Sequence, residues 1–458
     1  MMKKGLLTLL IVLFATAVYA DVTFSISGDA WERGDYIRNQ AFLDKPEGKS
    51  AFDTTQAFYD GGFFLYPKIT MDNAEINMRF AIRKQIWDSS YAAFDMVDPG
   101  STPNMPSNIL VDRAYITYHF SKDSVLDVGL QEAFTFGSSF ADNEGNAYRV
   151  KFSQTTPVGL FGVVLEKFAE QSNEDIPANN YKDANDIAFF AVTKAGDIWV
   201  KGLVYLLNWS SGFTAGPLTP YPDSRIGYYA LELNGDLGPV SFDSEFGYKS
   251  WHFTSVYSDA FKDPTVWGAY VTVFKALDVA KPGLTLVYDS WDKNAGYKNP
   301  VTGKAMGWGF DSGNDFKSNL IFGGHGADYE NPLSVPLGEN AWEGDIDGSD
   351  LMAFTMIKPY IVDIKTPIPN LTASASVSYM SSNQKDTMWD GAKAYEVDLG
   401  VAYQLSKYVV YSIGAGYGKC DLSTKGRTIV SNSVVPGAPP IENPDAILAV
   451  QHMIKINF

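Results

Sequence analysis

From Val22 to Phe458, apolar and polar residues alternate in about 18 segments of roughly 10 to 17 residues, and the connections between them alternate strictly between short and long. Alternation with period 2 gives a strand one apolar and one polar face. A tilted strand needs about 9 to 11 residues to cross a bilayer, so segments of this length suit a membrane wall. The short connections, among them Asp72-Asn73, Ser121 to Ser124, Pro157 to Gly159, Gly196-Asp197 and Ser406-Lys407, carry hairpin turn chemistry. The long ones, including 88–107, 171–183, 210–223, 294–349 and 422–444, are rich in Gly, Asn, Asp, Ser and Pro. Short turns on one side and long loops on the other are the layout of an outer-membrane barrel. The expected fold is therefore all-β, a transmembrane antiparallel up-and-down barrel of about 18 strands, with 16 as the alternative count.

Residues 394–406 display the two faces. Tyr395, Val397, Leu399, Val401, Tyr403 and Leu405 stand against Glu396, Asp398, Gly400, Ala402 and Gln404, the first set meeting lipid and the second water. Similarly, Ala114, Ile116, Tyr118 and Phe120 oppose Arg113, Thr117 and His119. A soluble sandwich alternates as well, so the ends of the chain carry weight. Met1 to Lys4 is a charged start, Gly5 to Val18 an apolar run, and Val18-Tyr19-Ala20 a small-residue cut site, which together predict a secretory signal peptide over residues 1–20. That run is shorter than the roughly 20 residues of a spanning helix. Residues 21–458 then form one barrel domain. Alternation already begins at Val22, leaving no room for an N-terminal plug and arguing against a TonB-dependent transporter.

The final segment places Val450, His452, Ile454, Ile456 and Phe458 on one face and Gln451, Met453, Lys455 and Asn457 on the other. An amphipathic strand ending in Phe resembles the signal read by the barrel assembly machinery, which assigns that role to Ile454, Ile456 and Phe458. The expected location is the outer membrane of a Gram-negative bacterium, with outer-membrane lipid, the assembly machinery and small hydrophilic solutes as partners.

Composition excludes other classes. With 53 acidic against 36 basic side chains and a net charge of -17, the chain lacks the basic surface that nucleic acid requires. Its one cysteine, Cys420, rules out an intrachain disulfide. No later apolar stretch is long enough for a membrane helix, whereas 14% aromatic residues suit the girdles of a barrel at two interfaces.

The run Asp112-Arg113-Ala114-Tyr115-Ile116-Thr117-Tyr118, then Val128-Gly129-Leu130-Gln131 and Phe136-Gly137, resembles a hairpin of the alginate-export-like porins. Leu130 stands where those proteins carry Arg. Tyr395 to Gly400 and Gly414-Ala415-Gly416-Tyr417 are similar to their late strands. The resemblance implies a porin architecture and assigns no substrate.

Period 2 turns Arg33, Lys68, Arg79, Arg83, Arg113, Arg149 and Lys151 inward on the first six strands, and Glu232, Asp243, Glu245, Glu396 and Asp398 inward on later ones. One reading is a basic wall facing an acidic one, whose transverse field orients solutes. The other is a wet lumen in which charges pair with neighbours such as Asp29, Glu75 and Asp127. The connection 294–349, with Trp308, Phe310, Phe316, Phe322, His325, Tyr329 and Trp342, is the expected constriction or lid, the alternative being an ordered loop outside. Asp345, Asp347 and Asp350 have the oxygen density of a calcium loop but lack the closing Glu, so a solvated acidic loop end is expected, with no metal and no cofactor.

Enzymatic chemistry needs a nucleophile with a positioned base. The four histidines, His119, His252, His325 and His452, come with no Gly-x-Ser-x-Gly elbow and no metal-spaced pair. The expected function is that of a non-enzymatic porin passing small hydrophilic solutes. The alternative is a non-conducting barrel that acts as a surface adhesin.

Overall fold

Turns of a few residues leave a strand nowhere to pair except beside its predecessor, and the chain follows that rule all the way round. The computed structural model describes residues 22–38, 56–86, 109–133, 136–138, 140, 145–169, 184–209, 224–253, 261–297, 307–310, 353–387, 389–428 and 446–458. The wall strands are β1 Val22–Arg38, β2 Gln56–Met71, β3 Ala74–Ile86, β4 Leu110–Ser121, β5 Ser124–Ala133, β6 Gly145–Thr156, β7 Gly159–Ala169, β8 Ala184–Ala195 and β9 Ile198–Trp209. They continue as β10 Ser224–Leu237, β11 Val240–Phe253, β12 Thr265–Phe274, β13 Lys281–Asp289, β14 Phe354–Lys365, β15 Leu371–Ser382, β16 Lys393–Ser406, β17 Val409–Asp421 and β18 Ile447–Asn457.

These make one 18-stranded antiparallel sheet, closed by β1 against β18 with Asp29 opposite Asn457 and Arg38 opposite Leu448. Closure removes both sheet edges, which matters where no water can satisfy backbone groups. The last bonds of the seam are Gly28 N–H to Phe458 O and Phe458 N–H to Gly28 O, each 2.9 Å. The strand count is thus 18 rather than 16. β12 ends at Phe274, beyond which Lys275 N–H bonds to Pro282 O at 3.0 Å and Leu277 N–H to Ala280 O at 2.9 Å, closing the turn into β13.

The faces follow the alternation. On β16, Tyr395, Val397, Leu399, Val401, Tyr403 and Leu405 are exposed, while Ala394, Glu396 and Gly400 are buried. Exposed apolar side chains recur on nearly every wall strand, from Phe24 and Ile26 on β1 to Val450 and Ile456 on β18. A soluble monomer rarely carries an apolar patch beyond a few hundred Å². A belt that encircles the molecule is the surface a bilayer solvates. Trp199 shares the inward face of Lys201 at the short-turn end, with Lys194 5.5 Å over its ring, and Trp251 likewise turns inward and packs on Trp308 at 5.5 Å.

Candidate functional site: the barrel lumen

The inward charges are organised by strand register. Lys151 lies opposite Asp127 and Arg149 opposite Glu166, and both pairs are bonded, at 2.8 and 2.6 Å. Cross-strand partners share a face, so opposite charges at registered positions meet without distortion. Lys68 reaches Glu75 at 2.9 Å. Arg79 binds Asp112 at 3.1 Å with its guanidinium 4.4 Å over the Phe64 ring. Arg113 takes both oxygens of Glu132. Fully buried Arg33 meets Asp35 at 3.1 Å, and Asp35 also accepts a bond from Gln451 at 2.8 Å. The side chain of Arg83 lies outside the described residues. Each described member of the basic set therefore has a carboxylate beside it.

On β10 and β11 the carboxylates Glu232 and Glu245 stand directly opposite one another, with Asp243 on the same face. Like charges placed so repel. Lys201, opposite Glu232 on β9, offsets this with bonds of 2.7 and 2.9 Å. Glu245 is instead satisfied by three donors: Ser138 N–H at 2.8 Å, Ser138 Oγ at 2.7 Å and Tyr228 O–H at 3.1 Å. Across the lumen Glu396 is fully buried, Asp398 accepts Ser376 Oγ at 2.9 Å, and Lys358 lies in the field of both.

Ser138 belongs to the connection between β5 and β6, so its bonds to β11 carry that loop into the barrel. Gly137 makes the approach possible. Its φ of +89° is a conformation that side chains disfavour, and a Cβ there would lie 2.8 Å from Glu245 Oε2 and 3.4 Å from Glu232 Oε2. Three residues on, fully buried Phe140 packs on Phe310 at 5.4 Å and Tyr270 at 5.2 Å. Phe310 fills the slot left by the missing side chains of Gly247 and Gly268, and Lys249 Nζ donates to its carbonyl at 2.9 Å. Aromatic stacking of this kind adds about 0.5–1.5 kcal/mol per pair beyond the area buried.

Of the connection 294–349, expected as a constriction or lid, only 294–297 and 307–310 lie among the described residues. Residues 307–310 of that long connection pack inside, but the shorter loop between β5 and β6 reaches the acidic patch, and 311–349, with Asp345 and Asp347, lie outside the described residues, as does Asp350. A local signal for it exists in Phe136-Gly137-Ser138-Ser139-Phe140, where aromatics bracket small residues. Alternation along strands does not register it.

The connection from β15 to β16 buries Trp389 and Gln384 completely. It is held to the segment after β17 by Lys425, 2.6 Å from Asp386 and 2.7 Å from Asp390. Burial pushes the Asp390 carboxyl up, but bonds from Lys425, the Asp386 N–H and Lys385 outweigh this and hold it below its ordinary value. A carboxyl lowered on folding contributes stability that is present above the ordinary value of 3.8 and is lost as pH falls through the lowered one. Acidification below that range is expected to speed amide exchange in 383–392 while leaving the wall protected. Lys425→Met should produce the same local opening at neutral pH; unchanged exchange in both cases would remove the clasp from the account.

No family model matches this chain, and no curated protein matches it. Among solved structures it is similar to OccAB4 of Acinetobacter baumannii, with a TM-score of 0.51 at 10% identity over 95% of this chain and 98% of that one. It is also similar to OpdK of Pseudomonas aeruginosa with vanillate, with a TM-score of 0.50 at 10% identity over 95% and 98% of the two chains. DcaP, an outer membrane channel of Acinetobacter baumannii, aligns at a TM-score of 0.42 and 13% identity over 95% of this chain and 97% of that one. With identities this low, the likeness to OccAB4 and OpdK is one of fold.

Proposed function

We propose that this chain is an outer-membrane porin, exported by a cleaved segment at residues 1–20, through which small hydrophilic solutes diffuse. The observation that carries the reading is a closed wall with an apolar outer belt and a charged lumen, crossed at one level by the Ser138–Glu245 contact. A lumen lined with paired charges presents alternating donors and acceptors to a passing solute, and ring charges set which sign it favours. Small organic solutes are the class to try first, with vanillate as a probe because OpdK was solved with it. Kinship with the alginate-export-like porins rests on the Arg113 hairpin motif and bears on architecture. Outer-membrane lipid and the assembly machinery complete the set of partners, and no catalytic step is assigned.

Conductance across a planar bilayer tests this reading: discrete steps are expected from the purified chain. Arg79→Gln with Arg113→Gln leaves the charges of Asp112 and Glu132 uncompensated, so reversal potentials in a salt gradient should move toward cation selectivity. The shift should be larger in dilute salt, where the Debye length is about 30 Å at 0.01 M against about 3 Å at 1 M. An unchanged reversal potential would detach these arginines from the permeation path. The full burial of the large side chains Trp31, Trp389, Phe140 and Phe310 favours, as a second reading, a barrel that binds a partner with its loops and conducts nothing. Absence of any step from a correctly folded preparation would select that reading.

A further inference from the structure

At the long-loop ends of β6 to β11 the outward faces carry one continuous polar row. Register links Tyr148 to Lys167, Lys167 to Asn185, Asn185 to Asn208, Asn208 to Arg225 and Arg225 to His252. These residues share the face of exposed Val150, Leu165, Phe189, Leu206, Tyr229 and Phe246 on the same strands. With strands about 4.8 Å apart, the row runs for about 24 Å along the rim. The next row toward the short turns is Val150, Leu165, Ile187 and Leu206, so the polar row borders the apolar belt.

Its charge runs against the composition. In a chain with 53 acidic and 36 basic residues, the row holds Lys167 and Arg225 and no carboxylate; the nearby Asp263 is bound to His252 at 2.8 Å. Directly below, a groove of about 470 Å³ opens between Val128, Tyr148, Val150, Leu165, Lys167 and Asn185. Its back wall is stiffened by the Arg149–Glu166 ion pair and by the Tyr205 O–H bond to Asp186. An apolar trough with an ammonium at its upper lip has the polarity profile of a lipid, one acyl chain below an anionic headgroup.

We propose that this rim is a binding site for a phosphorylated glycolipid of the outer leaflet. One acyl chain lies in the groove against Val150 and Leu165, phosphates meet Lys167 and Arg225, and Asn185 and Asn208 bond sugar hydroxyls. The proposal rests on the reading of the chain as an outer-membrane barrel. Charge complementarity selects the occupant: two phosphates on one headgroup offer each cation a charge-assisted bond, which a neutral lipid does not.

The test uses the full chain in detergent micelles, titrated with a bis-phosphorylated acylated disaccharide and with the same lipid stripped of its phosphates. The parent is expected to prefer the phosphorylated lipid. Lys167→Gln with Arg225→Gln should weaken that binding by roughly 25-fold, taking about 5-fold per cation near an anionic lipid surface. Binding of the stripped lipid should not change. Leu165→Trp, which fills the groove, should weaken both. A double variant that holds the phosphorylated lipid as the parent does overturns the proposal, as does one that loses self-association instead, which would give the rim to a second copy. Heat-modifiable mobility separates the two levels of failure. A parent without it refutes the membrane reading, whereas a heat-modifiable parent blind to the phosphates refutes only the lipid site.

Discussion

Excising residues 136–140 and bridging β5 to β6 with a short Gly-Ser linker is expected to leave a folded barrel whose conductance rises roughly two-fold or more, since an unobstructed lumen of this strand number is an open aqueous channel. The wall's hydrogen bonds do not pass through this loop, which is why its loss should be tolerated. What disappears is the crossing itself: the two Ser138 bonds to Glu245 and the Phe140 contacts with Phe310 and Tyr270. Removal also strips Glu245 of two of its three described donors, so the acidic patch on β10 and β11 faces open water and cation preference should grow. Gly137→Val is the milder counterpart, combining about 1–3 kcal/mol of backbone strain with the clash against Glu245. Excision of 311–340, which keeps Phe310 in its slot, is the matching control for the longer connection. If the first excision conducts and discriminates as the parent while the second opens the pore, the constriction belongs to the long loop.

Loss of Phe458 is the second large expected effect, read as a collapse in the yield of heat-modifiable barrel. The residue supplies the last two backbone bonds between β18 and β1, and its ring lies 6.1 Å from Phe63 on the outer face. Unpaired backbone groups at a seam inside a bilayer cost several kcal/mol each, so the deletion strikes the bond that turns a sheet into a barrel. Gly28→Leu attacks the same seam from the other side. A Cβ at Gly28 would come within 2.5 Å of the Phe64 carbonyl and 2.6 Å of the Phe458 ring; the ring can swing aside, but the carbonyl is part of the wall's backbone and cannot. The role assigned to Ile454, Ile456 and Phe458 in recognition by the assembly machinery is tested in the same experiment. Phe458 deleted with normal yield and mobility would show that neither closure nor recognition depends on it, whereas a purified deletion mutant that refolds in detergent but fails to assemble in cells would isolate recognition.

The strands and their two faces were legible without coordinates because both are local. Period 2 along Tyr395 to Leu405 needs only one strand's own residues to tell lipid from lumen, and Asp72-Asn73 or Gly196-Asp197 needs only its own turn chemistry to reverse the chain. The order of the strands follows from those short turns. Even the inward direction of Arg149 and Glu245 lies within reach of alternation once the wall is assumed.

What those inward residues touch was decided elsewhere. Whether Arg149 stands bare or beside Glu166 depends on the register between β6 and β7, where a slip of one residue turns every side chain to the other face. The long connection 294–349 drew attention as a constriction because length and aromatics are visible in a sequence. Ser138 carries no such signal, because its partner, Glu245, lies 107 residues away and no local pattern joins them. The sequence by itself therefore determined an antiparallel barrel of about 18 strands, its outward and inward faces and the end at which its long loops emerge; the count of 18 came from the closed sheet. Only the tertiary structure decided which charges neutralise one another, which loop enters the lumen and where the outer rim turns cationic, because each of these depends on groups that meet across strands once the barrel has closed.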